Sequence, residues 1–207
     1  MELRAFVKKN YAKITYAALL LVLGIFCLGF LLPPVLALSG EKTLSSALYA
    51  GYKPTCHQMP TRSFCFFKSL SGEVSFGDCT PQGDVLGGEQ APWGSTRVVS
   101  AYEVERNGAR GYEVAVCSRD VAIYLGMLLG LLIYPFARKL EDENVPSLAL
   151  FALVLIPMGI DGTTQLIGMR ESTNLLRAFT GVIVGVALPF YIMPLLVNLV
   201  RTLVQKE

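Results

Sequence analysis

The chain has 207 residues, 53% of them hydrophobic and only 16% charged, with a mean hydropathy of +0.49. That is too apolar for an average soluble domain and too short for several large ones, so a membrane protein is the expected class. A net charge of +2, with no basic block and no interleaving of aromatic and basic residues, sets nucleic acid aside as a partner.

Arg4, Lys8, Lys9 and Lys13 precede an apolar run from Ile14 to Leu38, long enough to cross hydrocarbon at about 1.5 Å per residue. A cleavable signal peptide with a cut near Ala37 is the rival reading, but the run is too long for a typical signal core and an uncleaved anchor is favoured. Residues 39–116 are polar and rich in Gly, Pro and Ser, and read as a water-facing insert. A helix is expected over about Leu44 to Tyr52, loop from Gly72 to Gly94, and a hairpin over Arg97 to Val116. In that hairpin Val98–Val104 and Tyr112–Val116 flank the turn pair Asn107-Gly108.

A second span is expected from about Asp120 to Ala137, a third from Ser147 to Met169, and a fourth from about Leu175 to Val200. Pro157 can kink the third, and Pro189 and Pro194 interrupt the fourth. Gly126 and Gly130, and again Gly181 and Gly185, stand four residues apart and permit close helix approach. Lys and Arg flank the first span's start and the ends of the second and fourth, which assigns the N-terminus, the 138–146 loop and the C-terminus to the cytoplasm. The insert and the 161–177 turn then share the outer side.

Chemistry-bearing residues gather on that side. Cys56 and His57, Cys117 and a carboxylate from Asp120 or Asp161 have the atoms of a zinc site, because thiolate, imidazole and carboxylate can complete a tetrahedral shell. Disulfides are the competing use: Cys56, Cys65, Cys79 and Cys117 form an even set, with Cys65–Cys79 the favoured structural pair, while Cys27 reads as inert core. A thiol nucleophile with His57 as base is a third reading, and His57 as a hydrogen-bonded structural residue a fourth. Cys117, Asp120 and Tyr124 share a helical face, as do Asp161 and Gln165. Arg170, Asn174 and Arg177 share one if the fourth helix starts early. A span aspartate is expensive, so Asp161 faces the bundle interior, where it serves a site or pairs with Arg177 or Arg170. Arg62, Arg119, Arg170 and Arg177 suit an anionic ligand such as a lipid headgroup; ordinary interfacial snorkelling is the alternative, and suits Arg138 and Arg201 better.

Cys56-His57-Gln58 with Pro60, Arg62 and Ser63, Cys117-x-Arg119 with Tyr124 and Gly126, Asp161-Gly162 with Gln165, and Arg170-x-Ser172-Thr173-Asn174 with Arg177, Thr180 and Gly181 together form a specific pattern. Over residues 56–185 it resembles the domain of unknown function 2085 family of small predicted membrane proteins. The resemblance implies a multi-pass protein and no established reaction. Members often carry a second cysteine where this chain has Asp120, a departure that weakens a dithiol at that position and suits a metal site.

The expected fold is membrane all-α: a four-helix transmembrane bundle with a small extracytoplasmic α+β insert, divided as 1–38, 39–116 and 117–207. The expected function is a zinc-dependent hydrolase or transferase acting on an anionic lipid-like substrate at the outer leaflet of the cell membrane. Cys56, His57 and Cys117 hold the metal, Asp161, Asp120 and Gln58 are the catalytic candidates, and Arg62, Arg119, Gln165, Arg170, Ser172, Asn174 and Arg177 bind substrate. The alternatives are a small transporter or channel using Asp161 and Arg177, and a disulfide-stapled or thiol-redox membrane protein.

Overall fold

The computed structural model describes residues 2–56, 58–80 and 96–206. Six α-helices and one antiparallel sheet make up these residues: α1 (Glu2–Ser39), α2 (Lys42–Tyr52), β1 (Phe64–Lys68), β2 (Val74–Asp78), β3 (Thr96–Val98), β4 (Glu103–Arg106), β5 (Ala109–Glu113), α3 (Ser118–Ala137), α4 (Leu148–Leu166), α5 (Asn174–Ala187) and α6 (Pro189–Lys206). A single 3₁₀ turn, Pro60–Arg62, leads into β1. Four helical stretches are long and apolar enough to cross a membrane: Ala5–Ser39, Ser118–Ala137, Leu148–Leu166 and Asn174–Val204.

α1 begins earlier than the apolar run, because its basic first turns continue the same helix. Near its other end Pro33 and Pro34 lack the N–H groups that would bond the carbonyls four residues back. The carbonyl of Phe30, freed by Pro34, accepts the N–H of Ala115 at 3.1 Å, which docks the far end of the insert onto the helix. The fourth span is divided: Ala187 ends α5 and Pro189 opens α6, with Leu188 helical between them. A proline is tolerated in the first helical turn, where its missing donor has no partner to lose.

α3 and α5 run parallel with their backbones in contact. A Cβ at Gly181 would sit 2.7 Å from the Arg119 carbonyl oxygen, and one at Gly126 would sit 2.9 Å from that of Val182. The four-residue glycine spacing therefore does what it suggested. At one end of the bundle Lys8 and Tyr11 of α1 line a shallow cavity with Arg201 and Val204 of α6. Arg201 pairs there with Glu143 at 2.8 Å, so both helical termini and the 138–147 connection lie together. Residues Cys117–Asp120 and Asn174–Arg177 mark the opposite end.

The insert is more strand-rich than expected. Its sheet has the order β2-β1-β5-β4-β3, every pair antiparallel. The β4–β5 hairpin turns at Asn107 (φ 50°) and Gly108 (φ 78°), two left-handed residues that match the right-handed twist of the strands. Its strands are shorter than predicted: Val99–Tyr102 bends between β3 and β4, and Val114–Val116 leaves the sheet for α3. The expected loop from Gly72 contains β2, since Val74–Asp78 pairs with β1 despite its glycine. Its remainder, 81–94, lies outside the described residues. Cys65 and Cys79 form the expected disulfide across the β1–β2 end, with an S–S distance of 2.12 Å. Cys27 is buried in the main apolar core.

Candidate functional site

Cys56 follows the end of α2 by four residues and is tied back to it by its N–H, which donates to the Tyr52 carbonyl at 3.2 Å. Two residues on, Gln58 adopts a left-handed φ of 49° and turns its side chain inward, donating to Tyr49 O at 2.7 Å and Ala115 O at 3.2 Å. This clamp presses the loop against the start of α3. Cys117, the extended residue before that helix, donates its N–H to Cys56 Sγ at 3.1 Å, and its own thiol donates to Asp120 Oδ2 at 3.2 Å. The two sulfurs and a carboxylate oxygen all lie within 4.8 Å of one another. Tetrahedral bonds of about 2.3 Å to zinc would set two sulfurs roughly 3.8 Å apart, so the group fits such an ion after a small contraction. His57, the remaining expected ligand, lies outside the described residues.

The Cys56 thiol is brought down to about 6 by the hydrogen bond from the Cys117 side chain first, helped by the N–H groups of Gln58 and Cys117 and opposed by burial and Asp120. Cys117 is pushed up, chiefly by that same bond and then by burial. Of the two thiols, Cys56 is therefore the one that gives up its proton more readily.

A second cluster surrounds Asp161, which is 1% exposed. Its carboxylate accepts from Arg119 at 2.5 Å, Arg170 at 3.0 Å and Ser172 at 2.8 Å, joining α3, α4 and the segment before α5. The expected partner Arg170 is present and Arg119 is added, but Arg177 is not among them. Asn174 is fully buried and ties three places together. Its carbonyl oxygen accepts from Ser118 at 2.9 Å, and its amide donates to Asp78 at 3.1 Å and to Ser63 O at 3.4 Å. Arg177, one turn further along α5, reaches the same Asn174 oxygen at 3.4 Å.

Cys56, Cys117 and Asp120 therefore form one group, and Asp161, Arg119, Arg170 and Ser172 another. Asn174 and Arg177 stand beside Ser118, between Cys117 and Arg119. α5 starts at Asn174, so Arg170 belongs to the preceding connection and does not continue the helical face of Asn174 and Arg177. Arg62 is exposed on the 3₁₀ turn, and Gln165 is half-buried on α4.

Sequence reasoning missed Glu113. It is fully buried at the end of β5, and both carboxyl oxygens lack a hydrogen-bond partner. Burial pushes its carboxyl up to about 8; the neighbouring Ser63 hydroxyl, committed to Met59 O at 3.0 Å, offsets only part of this. An acid among Val114, Ala115 and Val116 is the signal that could have flagged it.

Residues 108–191 match a family described as predicted membrane protein, domain of unknown function 2085. An uncharacterized protein of Methanocaldococcus jannaschii is 36% identical over 190 residues, covering 89% of this chain and 94% of its own. An uncharacterized protein of Methanothermobacter thermautotrophicus is 44% identical over 80 residues, 38% of this chain and 69% of its own. No solved structure matches. The match extends across Cys117, Asp120, Asp161 and Arg177, and on it the chain belongs to the domain of unknown function 2085 family of predicted membrane proteins.

Proposed function

We propose that this is a multi-pass membrane protein with an outward-facing metal centre, at which Cys56, Cys117 and Asp120 bind zinc together with His57, and that it is a metal-dependent hydrolase or transferase. The observation that carries the reading is the convergence of two sulfurs and a carboxylate oxygen to within 4.8 Å. Support for the ion type comes from the donor set, since thiolate favours zinc over magnesium or calcium. The low Cys56 value also helps, because a ligand must be deprotonated to bind. Bound zinc supplies a Lewis acid that polarises an acyl or phosphoryl oxygen or activates water. The protein's own contribution is placement: the Gln58 clamp fixes Cys56, and the Asp161 pair fixes Arg119 on the turn that follows Cys117.

The orientation rests on the basic flanks and on the shared location of both helical termini with the 138–147 connection. The four apolar helical stretches expose Leu21, Leu129, Leu153 and Phe179 in turn on their outer faces, as lipid contact requires. A protease site placed after Leu70 is then cut from outside intact cells, and one placed after Leu140 is not.

Elemental analysis of the purified full chain tests the metal. About one zinc per chain is expected, lost in Cys117→Ser and in Asp120→Ala. A metal-free protein under reducing conditions, or a Cys56–Cys117 disulfide found by mass spectrometry under native conditions, removes the centre.

A further inference from the structure

Arg177 is a buried charge with no counter-ion among the described residues. It is 5% exposed, and among the described residues its side chain's one hydrogen bond is the 3.4 Å contact to Asn174, a neutral oxygen already taken by Ser118. Among the described residues no carboxylate lies within 4.0 Å of it, and Asp161 is occupied by Arg119, Arg170 and Ser172. Within its electrostatic reach Arg62 and Arg119 repel it, while Cys117 and Asp161 attract. Arg119 also leaves its Nε buried without a partner.

A guanidinium largely withdrawn from water, without an ion-pair partner among the described residues and within reach of like charges, is costly unless an anion joins it. Asp161 neutralises Arg119 in part, which leaves the charge of buried Arg177 to be met, with exposed Arg62 a second cation within electrostatic reach. Two positive charges in forked form suit a phosphate dianion. Arg177 follows Asn174 by one helical turn, and Asn174 is bonded to Ser118, the residue after Cys117. An anion held by Arg177 therefore lies next to the cysteine cluster.

We infer that Arg177, with Arg62 and Arg119, binds a phosphate group, so that the substrate of the proposed centre is a phosphate ester. This rests on the metal-centre reading for the reaction, but not for the binding. The phosphate has two sources, a lipid headgroup or a water-soluble ester.

The test uses the full chain in phosphatidylcholine nanodiscs. Inorganic phosphate is titrated in one arm, and phosphatidic acid replaces part of the lipid in the other, with bound zinc measured throughout. Saturable binding is expected, weakened about tenfold or more in Arg177→Met and several-fold in Arg62→Gln, as loss of a charge-assisted bond implies. Binding of inorganic phosphate identifies a soluble ester, and binding of phosphatidic acid alone a lipid; either upholds the inference. Arg62 is exposed, so its variant keeps the test alive if Arg177→Met does not fold. Wild-type protein that binds neither probe, or variants that bind as wild type, overturns the inference. Zinc retained in that event leaves the metal centre standing, whereas phosphate binding without zinc defeats the centre alone.

Discussion

The N–H of Cys117, at the opening of α3, points at the sulfur of Cys56 from 3.1 Å, across 61 residues of sequence. A helix N-terminus carries partial positive charge, and the neighbouring Cys117 side chain is the largest influence lowering the Cys56 thiol, so Cys56 is the member of the pair that ionises. In chelator-treated protein, alkylation of Cys56 by iodoacetamide should rise through about pH 6, well below the ordinary thiol value of 9.0. The depressed group is reactive above that midpoint and silent as pH falls below it. Cys117→Ala removes the largest cause, and the midpoint should climb toward the ordinary value, as read by mass spectrometry.

Helix contact through glycine gives a second expectation. Gly181→Leu should destabilise the protein by roughly 1–3 kcal/mol or more, since overpacking at that site meets backbone atoms rather than a movable side chain. Gly159→Ala on α4, where nothing lies within 4 Å, should be neutral or slightly stabilising. Thermal unfolding in detergent distinguishes the two.

Glu113 links stability to pH. Its carboxyl sits at about 8 when folded, against an ordinary 4.5, so between those values the folded chain binds the proton that the unfolded chain releases. Stability is therefore greatest at the acidic end of the window and declines as pH rises through it. Glu113→Gln should flatten this slope, matching wild type near the acidic end and exceeding it near about pH 8 by on the order of a few kcal/mol. Denaturant melts at several pH values measure it.

Asp161→Asn should cost about 2–3 kcal/mol, because it leaves the half-buried Arg119 unpaired. Arg170, 44% exposed, adds little after solvent screening. Ser172→Ala should cost about 1 kcal/mol. Denaturant melts of the two variants rank these costs, and Asp161→Asn equal to wild type would show the cluster to be energetically idle.

Much of this was legible in the residues. Four apolar runs gave four helical stretches long enough to span, the last divided into α5 and α6, Asn107-Gly108 gave its turn, and the glycine pairs gave the α3–α5 contact. β1 and β2 were not legible, because Phe64-Cys65-Phe66-Phe67 shows no alternation to read and the Val74–Asp78 stretch has the composition of a loop. Nor could spacing choose among arginines for Asp161: Arg119 reaches it across two helices, a relationship set by packing and not by sequence distance. Gln58 looked like a reactive polar residue. Its left-handed backbone turns the side chain inward onto two carbonyls, and nothing in the local pattern announces that.

The joint between Phe30 and Ala115 is made of main-chain atoms alone. A substitution that keeps the main-chain groups leaves the donor and acceptor of this joint in place, although both side chains are fully buried in the core. Pro34 matters differently, because a residue with an N–H there would compete for the same carbonyl from within α1. One ring in α1 thereby governs how the outer layer is seated, at a position that a tally of reactive groups would pass over.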